Sequence, residues 1–353
     1  MKRGLEIQGI TVKCIASDAR TCAEMSDLLL DARPAYEGDV VLVEVTSRGG
    51  EYQDVEDLNG LSQQLYPGDI FLGVIGNRDS AKYFSSYVPD GGYSVHDQEG
   101  LDLLSNGGII GRADNTPAYL SPPLTVRCLG VLVRSQESVN ILPRDSVALP
   151  RLLPPIILVG ASSTDAGKTT LSSNLIHSLS YTQGMRVASC KLAGTGCLED
   201  VLAHKNAGAQ WVRDFPDAGL PSTYTAEKNY VPGVRKILSE LADCSPDVIL
   251  AELGGDLIWA NIPALLQLKE VMRHVVRLVM IPADVMGAVG ARYLLEEWGV
   301  DTQVTWCIPP NRNPRAVGRR MSKYISDHYI DIRNNKEIDA LALDISRQVV
   351  SHV

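Results

Sequence analysis

One stretch constrains this chain more than any other: Pro155-Ile-Ile-Leu-Val-Gly-Ala-Ser-Ser-Thr-Asp-Ala-Gly-Lys-Thr-Thr-Leu171. An apolar run, Ile156 to Val159, enters a loop of small residues, and Gly167-Lys168-Thr169 opens a segment with Leu171, Leu175 and Leu179 at helical spacing. A strand that exits through such a loop into a helix is the setting a phosphate-binding P-loop requires. There the loop from Ser163, Thr164, Asp165 and Ala166 through Gly167, Lys168, Thr169 and Thr170 wraps a polyphosphate with its backbone N–H groups. Lys168 reaches the β- and γ-phosphates, and the Thr169 hydroxyl holds Mg²⁺. The helix N-terminus adds unpaired N–H groups and its dipole. One position departs from G-x-x-x-x-G-K-[ST]: Ser162 stands where the opening glycine falls, and the nearest glycine is Gly160. A bare G-K-T would equally suit a helix cap with a chance lysine. The buried-type strand before it and the leucine spacing after it favour nucleotide binding.

A chain of 353 residues is long enough for two domains with separate cores. No apolar run reaches the ~20 residues needed to cross a bilayer, and Met1-Lys-Arg-Gly4 leads into no signal-peptide core. The seven cysteines are scattered and form no C-x-x-C pair, which argues against structural zinc and a disulfide framework. A reducing cytoplasm is therefore the expected compartment. A formal charge of −9 opposes general nucleic-acid binding, although Arg312 to Arg320 could form a local basic patch.

Residues 1–148 read as a β-rich, barrel-like domain. Thr11 to Ile15, Val40 to Val45, Ile70 to Ile75 and Val126 to Val133 are short apolar or alternating runs separated by turn residues. Gly38-Asp39 and Gly68-Asp69 each feed such a run, and Gly107-Gly-Ile-Ile-Gly-Arg112 is a third glycine-led run. Glycines at strand starts suit the tight corners of a small closed barrel. Ala23 to Leu30 reads as a short helix or a connection. Asn77, Arg78, His96 and Arg112 are candidate ligand contacts here, each with an ordinary surface role as its competitor. Pro143, Pro150, Pro154 and Pro155 disfavour both helix and central strand, so the linker falls near residue 150.

Residues 149–353 alternate between the two patterns. Strands are expected at Arg186 to Leu192, Asp247 to Leu253, Val275 to Ile281 and Val304 to Ile308. Helices are expected at Glu199 to Gly208, Val231 to Asp243, Ile262 to Met272 and Gly287 to Trp298. Uninterrupted Val/Ile/Leu strands between helices indicate an α/β fold with a mostly parallel sheet covered on both faces. Ligands bind such sheets at the carboxyl ends of the strands, and the polar candidates fall there. Lys191 ends one strand before Gly194-Thr195-Gly196. Glu252 ends another, the Walker-B arrangement that places a carboxylate on Mg²⁺ or its water, with Asp256 as a weaker alternative. Among Glu199, Asp200, Asp214 and Asp217, Asp200 is the choice to complete the metal shell, against a helix-start acid that only complements the dipole. In Pro309-Pro-Asn-Arg-Asn-Pro314, Asn311 or Asn313 can read a base edge, and a proline-bracketed turn is the alternative. Tyr224, Arg213 and Asp284 are lesser candidates, and the six histidines share no motif.

With these residues in hand, about residues 155 to 310 resemble the dethiobiotin-synthetase-like branch of the P-loop NTPases. That branch includes the amidotransferase-type cobyrinate synthases and the adaptor of molybdopterin-guanine dinucleotide synthesis. Thr164-Asp-Ala-Gly-Lys-Thr169 matches its T-x-x-G-K-T loop, and Lys191-Leu-Ala-Gly-Thr-Gly196 looks like its strand-end K-P-V-A-S-G. Ala251-Glu-Leu-Gly-Gly255 looks like its V-E-G-A-G-G, one residue shorter. The resemblance implies that Lys168, Thr169 and Lys191 contact phosphates or substrate and that Asp200 and Glu252 serve Mg²⁺. It also implies that Asn311 or Asn313 contacts adenine. The altered glycine loop, the unaligned acidic stretch and a first domain without counterpart argue against a role in biotin synthesis. The second lysine of K-G-G-x-G-K-T is absent, which argues against the partitioning and nitrogenase-iron-protein relatives.

The leading expectation is a Mg-ATP-dependent, ligase-like enzyme in small-molecule metabolism. It would activate a carboxylate or carbamate by phosphoryl transfer, with Lys168, Lys191 and Glu252 as catalytic residues. The alternative is a nucleotide-switch NTPase that controls a partner protein through the first domain, and a small-molecule kinase would use the same residues. The lack of N-K-x-D favours ATP over GTP. No membrane partner is expected, and a homodimer is the expected assembly.

Overall fold

The computed structural model describes residues 5–22, 27–96, 99–144 and 147–352. The chain forms two compact units. The first comprises Met1–Asp145, Thr195–Glu199 and Phe215–Gly233. The second comprises Ser146–Gly194, Asp200–Asp214 and Val234–Val353. Two short segments downstream of the proline-rich stretch thus group with the first unit.

In the first unit β1 (Val40–Val45), β2 (Ile70–Ile75), β3 (Leu101–Leu103), β4 (Ile109–Gly111) and β5 (Leu124–Arg134) close on themselves as a barrel. The hydrogen-bonded order runs β3-β4-β2-β1-β5, and β5 pairs again with β3. β5 can serve several partners because it is long and its register shifts between Cys128 and Gly130, which bends it. The same strand also pairs with Leu29–Asp31. That strand takes the end of the ambiguous Ala23–Leu30 segment, whose residues 23–26 lie outside the described residues. β1 is apolar except at the partly buried Glu44, because both of its faces are covered. Val41, Val43 and Val45 join one buried cluster with Phe71, Ile75 and Val126, whereas Val40 and Leu42 join another with Leu72 and Leu132. Gly73 is required for closure: a Cβ there would lie 2.6 Å from Ile110 Cγ1 and 2.9 Å from the Gly108 carbonyl oxygen.

The second unit is built on a seven-stranded sheet. Its strands are β6 (Ile156–Ala161), β7 (Val187–Ala193), β8 (Trp211–Asp214), β9 (Val248–Leu253), β10 (Val275–Ile281), β11 (Val304–Ile308) and β12 (Tyr329–Asp331). They are ordered β8-β7-β9-β6-β10-β11-β12, and every pairing is parallel. The unit's helices are α1 (Lys168–His177), α2 (Leu198–Asn206) from Asp200 onwards, α3 (Glu227–Asp243) from Val234 onwards, α4 (Val285–Glu297), α5 (Pro314–Tyr324) and α6 (Asn335–His352). Each residue of β6, β7, β9 and β10 is buried, which is why these strands read as continuous apolar runs. Leu171, Leu175 and Ile176 of α1 and Ile338, Leu341, Ile345 and Val349 of α6 pack with Ile157, Val159, Leu250 and Val279 of the sheet. Each such side chain contributes about 1.5–3 kcal/mol by leaving water. The edge strands β8 and β12 are only partly buried and carry weaker patterns. The helix expected at Ile262 to Met272 is broken at Leu268, whose ψ of 87° is not helical, into Ile262–Gln267 and Lys269–Met272.

This is an α/β P-loop NTPase fold preceded by a β-rich barrel. β6 lies at the centre, with the chain running first to one side and then to the other. The crevice at its carboxyl end is the topological switch point at which such sheets bind ligands. Among the described residues no helix is long and apolar enough to cross a membrane.

Candidate functional site

The loop leaving β6 is shaped by two left-handed residues, Asp165 (φ 57°) and Gly167 (φ 94°), the latter serving as N-cap of α1. Gly167 thus supplies a conformation that other residues adopt only with strain. Ser162, in the place of the opening glycine, has a structural task. Its N–H donates to the Ile281 carbonyl at 3.1 Å, and its Oγ accepts from the Ala283 N–H at 2.7 Å. The loop is thereby stapled to the end of β10. Lys168 is buried, and its ammonium donates to the carbonyl of Gly255 at 2.8 Å and of Ser163 at 3.3 Å. Burial and the neighbouring Lys191 push its pKa below that of an ordinary lysine, while Glu252 and Asp200 push the other way.

Parallel pairing sets Lys191 of β7 beside Glu252 of β9, and Glu252 beside Val159 of β6. Close approach of the strand ends depends on glycine. The Gly254 N–H donates to the Ala193 carbonyl at 2.9 Å, and a Cβ at Gly254 would lie 2.4 Å from that oxygen. Asp200 and His204 lie one turn apart on α2, so they share a face. Ser189 and Lys191 share a face of β7 by the two-residue period of a strand.

These elements converge on the Thr169 hydroxyl, which lies 2.8 Å from Asp200 Oδ1 and 3.0 Å from Glu252 Oε1. The Lys191 ammonium donates to Asp200 Oδ2 at 2.6 Å. Burial alone would raise the Asp200 carboxyl. The Lys191 charge and the hydrogen bonds from Lys191 and Thr169 outweigh it and hold the group below the usual carboxylate range. Glu252 is 2 % exposed, and its second oxygen, Oε2, lies 3.1 Å from His204 Nε2. A hydroxyl carries one proton, so it cannot donate to both carboxylates at once. Three oxygens around one proton are a donor set that suits a small divalent cation. Among the described residues no three His, Cys, Asp or Glu side chains form a metal cage. Mg²⁺ does not ask for one, because it takes one or two carboxylates and fills the remaining positions with water and phosphate oxygens. Thr169, Asp200 and Glu252 fit that requirement.

Asn311 lines a cavity of about 250 Å³ with Ser163, Asp165, Ala166, Pro310 and Arg312. Asn313 is occupied elsewhere: it is the N-cap of α5, and its Oδ1 accepts from the Ala316 N–H at 3.1 Å. Thr164 and Thr170 flank the loop, partly buried and exposed respectively. The remaining acids have separate partners. Asp284 caps α4 through the Gly287 N–H at 2.8 Å, and Asp256 accepts from the Ile258 N–H at 3.2 Å. Asp217 pairs with Arg20 at 2.6 Å within the first unit, and Arg213 pairs with Glu240 at 2.8 Å. Asp214, wholly buried, ends β8 beside Lys191 in the register, and Glu199 falls in the first unit.

In the first unit Asn77 is buried and donates to the Tyr224 carbonyl at 2.8 Å. The Arg78 guanidinium is buried 5.1 Å from the ring centres of both Tyr52 and Tyr83. Arg112 donates to the Gly100 carbonyl at 3.1 Å, and His96 is exposed. Sequence reasoning missed His204 and Ser189. The available signal was a histidine three residues after Val201, on the stripe of α2 that turns out to be buried.

No family model matches the chain, and no curated protein does. Solved structures with a similar backbone include a ParA family ATPase from Chlorobium tepidum TLS, at 12% identity over 57% of this chain and 93% of that one, TM-score 0.34. The signal recognition particle receptor FtsY from Elizabethkingia anophelis is 15% identical over 55% of this chain and 67% of that one, TM-score 0.33. A DUF1611 family protein from Anabaena variabilis is 16% identical over 57% of this chain and 61% of that one, TM-score 0.38. Likeness at this level carries no functional argument, and the fold assignment rests on the strand order and the loop.

Proposed function

We propose that the second unit binds a Mg²⁺–nucleoside triphosphate, with ATP preferred, and transfers its γ-phosphoryl group to a small carboxylate or carbamate acceptor in a ligase-like reaction. One observation carries the reading: Lys168, Thr169, Lys191, Asp200 and Glu252 meet at the carboxyl ends of β6, β7 and β9, behind a loop of P-loop conformation. In this reading Ser163 to Thr170 cradle the phosphates, and Lys168 leaves the Gly255 carbonyl for a phosphate oxygen. Thr169, Asp200 and Glu252 would hold Mg²⁺, which would supply charge neutralisation for the polyphosphate. Lys191 stands where a second positive charge can stabilise the transferring group or fix an anionic acceptor. Catalysis is then positioning and charge neutralisation. Asn311 faces the base from the 250 Å³ cavity. A nucleotide switch uses the same residues and differs in turnover.

Calorimetric titration with ATP and with GTP, each with Mg²⁺, tests the reading, and phosphate release is then followed without any acceptor. Tight ATP binding with almost no release supports the ligase-like enzyme. Steady basal release supports the switch. Lys168→Ala should abolish nucleotide binding; unchanged affinity in that variant would remove the foundation of both.

A further inference from the structure

His204 is wholly buried, and both of its ring nitrogens are engaged. Ser189 Oγ lies 2.9 Å from the Leu250 carbonyl oxygen, which can only accept, so the single serine proton is directed there. Ser189 Oγ therefore accepts at its other contact, the 3.0 Å bond to His204 Nδ1, and Nδ1 carries a proton. That fixes the ring plane and aims Nε2 at Glu252 Oε2, 3.1 Å away. Glu252 is left with one oxygen, Oε1, on the side of Thr169.

We infer that His204, oriented by Ser189, is a positioning residue: it occupies Oε2 of Glu252 so that the carboxylate offers Oε1 alone to the cation and phosphate side. The inference rests on the nucleotide reading above. Glu252 sits on a strand end with 2 % exposure, where water cannot take Oε2 in place of the ring. A carboxylate free of this anchor can rotate and spread both oxygens towards the cation. Mg²⁺ demands near-ideal octahedral geometry and tolerates that poorly. Partners that orient a metal ligand in this manner commonly set metal affinity by 10- to 100-fold.

The test is Mn²⁺ binding followed by electron paramagnetic resonance in the presence of ATP, with nucleotide binding in EDTA measured in parallel. His204→Leu should weaken Mn²⁺ about 10-fold or more and leave metal-free ATP affinity unchanged. His204→Gln, whose amide N–H can still donate to Oε2, should recover most of that loss. Ser189→Ala, which frees the ring without removing it, should fall between them. Wild-type Mn²⁺ affinity in His204→Leu, or a loss in His204→Gln equal to that in His204→Leu, overturns the inference. Absence of ATP-dependent Mn²⁺ binding in the wild type instead overturns the nucleotide reading on which it depends.

Discussion

The Lys191–Asp200 pair gives the sharpest energetic prediction. Its charged atoms are 2.6 Å apart, and the side chains are 8 % and 22 % exposed, so solvent screening is weak. At an effective dielectric near 20 the gross attraction is about 6 kcal/mol. Desolvation consumes most of that sum, which is why the pair as a unit adds little, whereas loss of one partner leaves a buried charge and costs about 3–5 kcal/mol. Asparagine at 200 keeps its one oxygen for the Lys191 ammonium and can turn its NH2 to the Thr169 hydroxyl, so Asp200→Asn belongs near the lower end, and Lys191→Met near the middle. The double variant should cost no more than the larger single change, giving a coupling of at least about 3 kcal/mol. Hydrogen exchange of the amides in β7 and β9 reads this locally, and that suits a chain of two units better than one global unfolding curve. At about 1.4 kcal/mol per tenfold, protection should fall roughly 140- to 4,000-fold in each single variant and no further in the double. Additive losses, with the double variant equal to the sum of the two singles, would refute the reasoning.

Other predictions follow from the division of labour between neighbouring residues. Asn311→Ala should weaken nucleotide affinity in a calorimetric titration without changing stability. Asn313→Ala should instead cost about 0.5–2 kcal/mol by uncapping α5, with affinity unchanged. The Arg186 side chain and backbone N–H bind Asp247 and hold its carboxyl below the usual range. This stabilisation is fully present above the unfolded carboxylate pKa of about 4 and is lost as pH falls through the lower folded value. Asp247→Asn should therefore move the acid-unfolding midpoint upward, by a few tenths of a pH unit at most because both side chains are a third or more exposed.

Much of this was legible in the chain itself. The strand–loop–helix around Lys168 and the parallel sheet follow from local pattern, and Lys191, Asp200 and Glu252, singled out on the same grounds, lie together around Thr169. Strands buried on both faces must be apolar throughout, and a charge at the end of such a strand needs a partner or a ligand. The same logic failed for β8 and β12, because edge strands are half solvated and lose that signature. It could not separate Asn311, which lines the cavity beside the loop, from Asn313, which caps α5, because the two amides are alike and differ only in where the backbone turns.

Only the tertiary structure decided the rest. Residues 195–199 and 215–233 group with the barrel unit, which no local pattern records, because grouping is set by long-range packing. His204 reaches Glu252 across 48 residues of sequence, through a register that places Ser189 and Lys191 on one face of β7 and α2 over them. A sequence fixes which groups are available along the chain. Which of them share a proton is a matter of distances of about 3 Å, and folding alone sets those.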